Sequence, residues 1–251
     1  MVVMRTATDL GTVLGVWAHP DDEAYLSAGI MGALRDAGRR VVVATATYGE
    51  HGTPDPVAWP PERLAAARQG ELEASLGLIG VYEHHWLGYQ DGGCASVPAE
   101  EGVASVAKLI EEVAPDTILT FGPEGMTGHP DHRTISWWTT EAWRATGGRG
   151  RLLYSTVTPS FHTRWGAFHD RIGLWMSGRG PVTPDEELAV RATFTGAELD
   201  RKVASVLAHA SQTAGLAAEM GEEDFRAWWS TEYFVAADRP SHVDGHLARR
   251  S

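Results

Sequence analysis

Two short clusters of histidine and aspartate carry the residues of this 251-residue chain that are best suited to chemistry. The first is His19-Pro20-Asp21-Asp22, and the second, His129-Pro130-Asp131-His132, shares the His-Pro-Asp pattern but ends in histidine. Together they supply imidazole and carboxylate groups without a thiolate. That mixture suits a catalytic zinc site, in which three protein ligands leave one position open for water.

Each cluster follows a predicted strand and precedes a predicted helix. In parallel α/β sheets, ligands bind at the carboxyl ends of the strands, so we expect both clusters at one edge of a sheet. A simpler interpretation is structural: Asp21, Asp22 and Asp131 cap helices, and the histidines pack or face solvent. For one cluster the two interpretations are about equal, but two clusters at equivalent strand ends favour the functional one.

The elements that position the clusters alternate between strand and helix. Apolar, β-branched runs predict strands over 13–18, 41–47, 81–87, 117–121 and 152–157. Helical spacing and end signals predict helices over 24–37, 61–78 and 103–113, and a further helix from the second cluster through Trp143. This alternation predicts an α/β fold of Rossmann-like type, with a mostly parallel sheet and helices on both faces.

The pattern loosens beyond Pro159. Residues 178–184 are predicted to form a surface loop, and a late helix carries Leu199, Val203 and Val206 on one face. We expect a single domain over residues 1–251, with its core at about 11–236. The segment 238–251 is polar and is expected to fray.

Composition excludes several classes of protein. The formal net charge of −12 argues against a general binder of nucleic acid or of anionic membranes. The sequence has no apolar run of transmembrane length, and its N-terminus does not read as a signal peptide. The single cysteine, Cys94, fits a reducing compartment. We therefore expect a cytoplasmic protein whose partners are neither nucleic acids nor membranes.

The residues around both clusters resemble the two signature motifs of the LmbE-like, or PIG-L, family of zinc-dependent de-N-acetylases. The resemblance rests on residues 18–23 (AHPDDE) and 128–132 (GHPDH). Weaker similarities support it at 47–50, at Arg68 with Glu71, at 87–91, and at Lys202 with 209–212. It covers most of the chain and thins between about 159 and 196. It implies an LmbE-like fold and an amino-sugar substrate, and it leaves a homo-oligomer open.

The resemblance implies one zinc per chain held by His19, Asp22 and His132, with Asp21 as the general base. A physical argument agrees, because two consecutive aspartates cannot easily both be terminal ligands of one ion. One can bind the metal while its neighbour accepts a proton from the water that the metal acidifies. The ligand types also suit iron, cobalt or nickel, so the identity of the metal stays open.

His129 lies near the proposed metal without binding it. In its protonated form it would stabilise the oxyanion and then protonate the leaving amine. Asp131 would orient this imidazole and hold its charge. The resemblance further implies that Arg68 and Asp91 bind the sugar. The alternatives are an Arg68–Asp91 ion pair at the sheet edge and, for Glu50, either a hydroxyl acceptor or a carboxylate that only holds its loop.

One position departs from part of the family. Members that act in low-molecular-weight thiol biosynthesis carry a tyrosine just before the second motif, where this chain has Thr127. Threonine is too short to reach a carbonyl oxygen in the same way, so the position argues against a thiol-pathway substrate and leaves the chemistry unchanged.

The sequence therefore predicts a hydrolase that removes an N-acetyl or other N-acyl group from an amino sugar or its conjugate. One alternative is a metal-dependent amidase that cleaves a larger acyl group. Another is a metal-binding protein without catalysis, which Asp21 and His129 argue against because neither is needed merely to hold zinc. A nucleotide-binding Rossmann protein is disfavoured, because the first strand–helix turn lacks the glycine fingerprint and carries an acidic pair.

Overall fold

A seven-stranded sheet forms the centre of the computed structural model, which describes residues 7–176, 178 and 180–237. The strands are β1 (Val13–Trp17), β2 (Val41–Thr47), β3 (Glu83–Tyr89), β4 (Thr117–Phe121), β5 (Arg151–Ser155), β6 (Val190–Thr193) and β7 (Thr231–Ala236). Their order across the sheet is β3-β2-β1-β4-β5-β7-β6. The first five strands in this order are parallel, and β7 runs antiparallel to both β5 and β6.

Eight helices surround the sheet in the described residues. They are α1 (Asp22–Asp36), α2 (Pro61–Leu78), α3 (Ala99–Val113), α4 (Pro130–Ala145), α5 (Pro159–Ile172), α6 (Gly196–Ala208), α7 (Ala210–Met220) and α8 (Glu222–Trp228). Right-handed crossovers place α1 and α2 on one face and α3 and α4 on the other. Helix α6 packs against α1 and α2, and α3 packs against α4.

The central strands are buried on both faces, as the sequence of apolar and β-branched residues predicts. Every residue of β1, β2 and β4 is buried. Val13 of β1 lies in register between Val41 of β2 and Thr117 of β4. Such double coverage is the usual reason that parallel strands are almost wholly apolar. The α/β fold with a mostly parallel sheet is therefore confirmed.

Strand order explains why both histidine clusters reach one place. Strands β1 and β4 are parallel neighbours, so their carboxyl ends point the same way. The first cluster follows β1 and opens α1, which begins at Asp22, two residues before the predicted start. The second cluster follows β4 through a loop and opens α4 at Pro130.

The structure also contains elements that the sequence analysis did not predict. Helix α5 begins after Thr158, whose hydroxyl accepts a hydrogen bond from the Phe161 backbone N–H. Strands β6 and β7 add an antiparallel edge to the sheet, and α7 and α8 precede β7. The predicted fraying of residues 238–251 lies outside the described residues.

Candidate functional site

Three predicted ligands converge at the carboxyl ends of β1 and β4. The Nδ1 atom of His19 lies 3.0 Å from Nε2 of His132. A carboxylate oxygen of Asp22 lies 3.7 Å from His19 Nδ1, and the other lies 3.5 Å from His132 Nε2. All three residues are buried, with 6 to 8% of their surface exposed.

This spacing fits a tetrahedral divalent metal. Bond lengths of about 2.0 to 2.2 Å and tetrahedral angles place zinc ligand atoms about 3.3 Å from one another. Two further groups of potential ligands lie nearby, each with its ligand atoms within 4.8 Å of one another: His19 with His129 and His132, and His19 with Asp91 and Asp131. The donor set is rich in imidazole and carboxylate, as expected for zinc or another first-row ion.

Hydrogen bonds on the far side of each imidazole fix which nitrogen faces the cluster. The Nε2 atom of His19 lies 3.1 Å from Asp91 and 3.3 Å from Asp131. The Nδ1 atom of His132 lies 3.1 Å from the backbone carbonyl of Gly125. An outer acceptor of this kind orients a metal-binding imidazole and fixes its tautomer.

The pKa values of the His19 and His132 imidazoles shift in opposite directions. Burial alone would lower the pKa of His19, but hydrogen bonds with Asp131 and Asp91 raise it to about 10. Burial and the neighbouring His19 lower the pKa of His132 well below its usual value. Burial raises the pKa of Asp22 to about 6, against the opposing effect of His19.

The Asp131 carboxylate contacts a different histidine from the one predicted. Its two oxygens accept hydrogen bonds from the backbone N–H groups of Gly92, at 2.7 Å, and Cys94, at 3.1 Å, and Oδ2 faces His19. His129 instead accepts a hydrogen bond from the Asp131 backbone N–H through Nδ1, at 3.2 Å. The turn at 92–94 thus holds this carboxylate behind His19, while its charge still raises the pKa of His129 against burial. The role of Asp131 in holding the charge of His129 stays a prediction.

His129 nevertheless lies close to the cluster. It occupies the N-cap position of α4, and its ring centroid is 4.8 Å from that of His19 and 5.0 Å from that of His132. Burial and the charge of His19 lower its pKa. Because Nδ1 accepts from a backbone N–H, the proton of the neutral ring sits on Nε2.

Asp21 has an unusual backbone and two polar anchors. Its φ of 122° is rare for a residue other than glycine. Its backbone N–H donates to Glu23 Oε2 at 3.0 Å, and Arg68 donates to its Oδ2 at 3.1 Å. Burial raises the pKa of Asp21 to about 7, against the opposing charge of Arg68. This value suits a group that must both accept and release a proton near neutral pH.

Glu23 connects this aspartate to α6. The Glu23 carboxylate is fully buried, and its Oε1 lies 2.9 Å from Nε2 of His209, which is also fully buried. Burial alone would raise the pKa of Glu23, but His209 lowers it; the pKa of His209 is raised in turn by Glu23 against its own burial. No role was predicted for Glu23, although it lies within the first motif.

The three side chains predicted to contact the substrate, Arg68, Asp91 and Glu50, all form hydrogen bonds within the protein. Arg68 donates to the backbone carbonyls of Gly49 and Pro20 as well as to Asp21, so the alternative Arg68–Asp91 ion pair is not the one formed. Asp91 faces His19 and accepts from the His51 backbone N–H at 2.9 Å. Glu50 accepts from the Asp91 backbone N–H at 2.9 Å, which favours the loop-holding interpretation of this carboxylate.

A cavity of about 440 Å³ opens onto the cluster. One part of it is lined by charged and imidazole side chains, namely His19, Asp21, Asp22, Arg68, Asp91, His129 and His132. The remainder is lined by aromatic and aliphatic residues, which include Tyr25, Phe161, His169, Trp175, Trp228 and Trp229. Trp59 does not line this cavity; its ring centroid lies 4.5 Å from the Arg63 guanidinium carbon. We call the aromatic residues among those lining the cavity its aromatic wall. The sequence signal for most of this wall was the density of aromatic residues after Pro159.

No helix in the described part of the chain combines the length and apolar character needed to cross a bilayer.

Both the sequence and the fold of this chain are similar to those of proteins named as deacetylases. The family described as GlcNAc-PI de-N-acetylase (PIG-L) matches residues 14–143. The 1D-myo-inositol 2-acetamido-2-deoxy-alpha-D-glucopyranoside deacetylase of Saccharomonospora viridis is 30% identical, over 80% of this chain and 84% of its own. The N,N'-diacetylchitobiose deacetylase of Pyrococcus horikoshii shares the fold with a TM-score of 0.68 and 23% identity, over 94% of this chain and 87% of its own.

The same fold also hosts a different activity. The 4-carboxy-2-hydroxymuconate hydratase of Pseudomonas putida superposes with a TM-score of 0.61 at 14% identity, over 92% of this chain and 97% of its own. The fold alone therefore does not identify a reaction, and the functional argument depends on the site and the sequence relationship.

Proposed function

Because the chain belongs to the GlcNAc-PI de-N-acetylase (PIG-L) family, we propose that it is a metal-dependent hydrolase that removes an N-acetyl, or another N-acyl, group from an amino sugar or its conjugate. The observation that carries this proposal is the convergence of His19, Asp22 and His132 next to a buried Asp21. Relatives named as deacetylases of N-acetylglucosamine-containing compounds support the choice of substrate class.

His19, Asp22 and His132 would hold the metal, with zinc as the ion that best suits this donor set. When bound, such an ion acidifies a water molecule and polarises the acyl carbonyl. His19 would bind through Nδ1, because its Nε2 faces the carboxylates of Asp91 and Asp131. Those carboxylates accept the Nε2 proton and hold the ring in place.

Asp21 would act as the general base on the attacking water. Arg68 occupies its Oδ2, so we assign the proton to Oδ1. A pKa near neutrality allows the carboxylate to take this proton and then pass it to the leaving amine. Arg68 and Glu23 act as positioning residues, since one holds the side chain and the other holds the strained backbone.

His129 would stabilise the oxyanion in its neutral form. The Asp131 backbone N–H occupies Nδ1, which leaves Nε2–H as a donor toward the substrate carbonyl oxygen. This role differs from the protonated His129 expected from the sequence, because burial disfavours the charged ring. A preorganised donor of this kind is worth about 100-fold to 1000-fold in kcat.

Release of primary amine from a panel of N-acetylglucosaminyl compounds tests the proposal, with zinc-loaded protein compared with an Asp21→Asn control. We expect amine release by the unsubstituted protein and a loss of at least about 100-fold in the control. Equal release by both proteins would refute the role of Asp21. No release from any compound, with one metal bound per chain, would refute the deacylase proposal.

A further inference from the structure

The apolar part of the cavity has polar atoms that the proposed reaction does not use. His169 is fully buried, and within the described part of the chain neither ring nitrogen has a hydrogen-bond partner. The indole N–H groups of Trp175 and Trp229 are buried and unpartnered in the same sense. All three residues line the cavity that contains the histidine cluster. A buried donor without a partner is costly, so these atoms point to a ligand that completes them.

Aromatic rings surround the His169 imidazole. Its ring centroid is 5.2 Å from Trp175, at an interplanar angle of 87°, and 5.5 Å from Trp228. Trp229 lies next to Trp228, with ring centroids 4.3 Å apart, and stacks on Tyr25 at 4.7 Å. This is a ring-lined pocket with edge and face contacts of the kind that aromatic groups prefer.

Helix α5 and the turn that ends it contribute Phe161, His169 and Trp175 to the aromatic lining of the cavity. Gly173 adopts a φ of 62°, which ends the helix and returns the chain toward the cavity. The Met176 backbone N–H then donates to the Thr127 carbonyl at 2.8 Å. Thr127 lies two residues before His129, so the wall is fixed directly to the loop that carries the proposed oxyanion donor.

The chemistry of the wall distinguishes between ligand classes. A simple alkyl chain would cover the rings but leave the imidazole and indole N–H groups unpartnered. A second sugar would place several hydroxyl groups against aliphatic and indole carbon, where they lose hydrogen bonds to water. A flat ring that bears an oxygen atom satisfies both requirements, because its faces stack and its oxygen accepts a hydrogen bond.

We propose that the His169 pocket, lined by Trp175, Trp228, Trp229 and Tyr25, is an aglycone subsite that binds an oxygen-bearing aromatic group attached to the amino sugar. This inference rests on the proposed deacylase function and narrows its substrate class. The neutral imidazole offers one donor and one acceptor to such a group. Burial lowers the pKa of His169 to about 4, consistent with a ring that stays neutral.

Three N-acetyl-β-D-glucosaminides test the subsite: the 4-methoxyphenyl, the octyl and the methyl glycoside. We expect kcat/KM for the 4-methoxyphenyl compound to exceed that for the methyl compound at least tenfold. His169→Phe keeps a ring of similar size and should reduce this preference about threefold to tenfold, the effect of one neutral hydrogen bond. Turnover of the methyl glycoside should not change and shows that the variant folds.

Two further variants provide a second test of the pocket and a matched control. Leu216→Trp fills the same pocket from α7 and should abolish the aryl preference without touching the metal cluster. Trp137→Leu is the matched control, because Trp137 is 47% exposed and lies outside this cavity. It should leave turnover of all three glycosides unchanged.

A binding measurement separates this inference from the proposed function. Titration calorimetry with Asp21→Asn, in which the glycosides are not consumed, should give a Kd for the 4-methoxyphenyl compound at least tenfold below that for the methyl compound. If that preference is present and depends on His169, the subsite stands even when no protein releases amine, and only the deacylase proposal fails. Equal affinity for the two compounds, or stronger binding of the octyl glycoside, would overturn the subsite.

Discussion

Replacing Arg68 distinguishes two roles for this residue that predict different kinetics. The guanidinium donates to Asp21 Oδ2 at 3.1 Å and to the backbone carbonyls of Gly49 and Pro20. Both side chains are buried, with 4% of Arg68 and 12% of Asp21 exposed. Arg68→Met keeps most of the volume and removes the charge, so it tests whether Arg68 sets the ionisation of Asp21 or contacts the substrate.

The expected change in the pKa of Asp21 follows from the opposite effects of burial and of Arg68. Burial raises the pKa of Asp21 to about 7, and the charge of Arg68 opposes that rise. Without Arg68 the pKa rises further, since an opposite charge at this range lowers a carboxyl pKa by about 1 to 3 units. Asp21 must be deprotonated to act as a base. The acid limb of kcat/KM should therefore move to higher pH by about 1 to 3 units, with a loss of about tenfold per unit below the new limb.

The assay is the pH dependence of amine release, with circular dichroism to confirm that each variant is folded. Arg68→Lys retains a positive charge and should shift the acid limb less than Arg68→Met. Arg63→Met is the matched control, because Arg63 lies on the same helix, is exposed and stacks on Trp59. Its acid limb should coincide with that of the unsubstituted protein.

A folded Arg68→Met variant with an unchanged acid limb and a raised KM would refute this reasoning. That result would support the substrate contact that the family resemblance implies for Arg68. A shifted limb with an unchanged KM would assign Arg68 to the ionisation of Asp21.

Three further substitutions test other parts of the account. His129→Ala should keep one bound metal per chain and lose at least about 100-fold in kcat. Metal analysis checks the first expectation and acetate release checks the second. Loss of the metal would contradict the assignment of His129 as a residue that does not bind it. Glu232→Gln should lower the free energy of unfolding by about 3 to 5 kcal/mol, because the fully buried Lys202 ammonium, 2.6 Å away, loses its charged partner. Urea unfolding measures this change, and a difference below about 1 kcal/mol would show that the pair contributes little. Glu23→Gln cannot accept from both of its present donors and should lower kcat about tenfold with little change in KM; an unchanged kcat in steady-state assays would remove Glu23 from the positioning of Asp21.

Much of the fold could be predicted because its signals are local. The apolar runs define β2 and β4 with the bounds found in the structure, and the Pro61 start signal gives α2 its first residue. Parallel pairing of β1 with β4 then brings the two histidine clusters together. The antiparallel edge formed by β6 and β7 was missed, since it depends on non-local pairing of residues 190–193 with residues 231–234.

The finer site geometry depends on contacts between distant segments. The turn at Gly92 and Cys94 decides that Asp131 faces His19 rather than His129. The unusual backbone of Asp21 depends on Glu23, and that carboxylate depends on His209, which joins α6 to α7 nearly two hundred residues later. The contacts of Asp131 with the 92–94 turn and of Glu23 with His209 join distant segments and have no local sequence signal. The spacing of the two motifs predicted that His19, Asp22 and His132 would meet. Tertiary packing determined the hydrogen-bond partners of Asp131 and Glu23.

Removal and return of the metal tests whether this chain is a metal-dependent deacylase. Protein treated with a chelator should release no acetate from an N-acetylglucosaminide, and addition of one equivalent of zinc should restore release. The same addition to His132→Ala should restore little, because one of three ligands is absent. Acetate release that persists in chelated protein with no measurable metal would contradict the proposal that this chain is a metal-dependent deacylase.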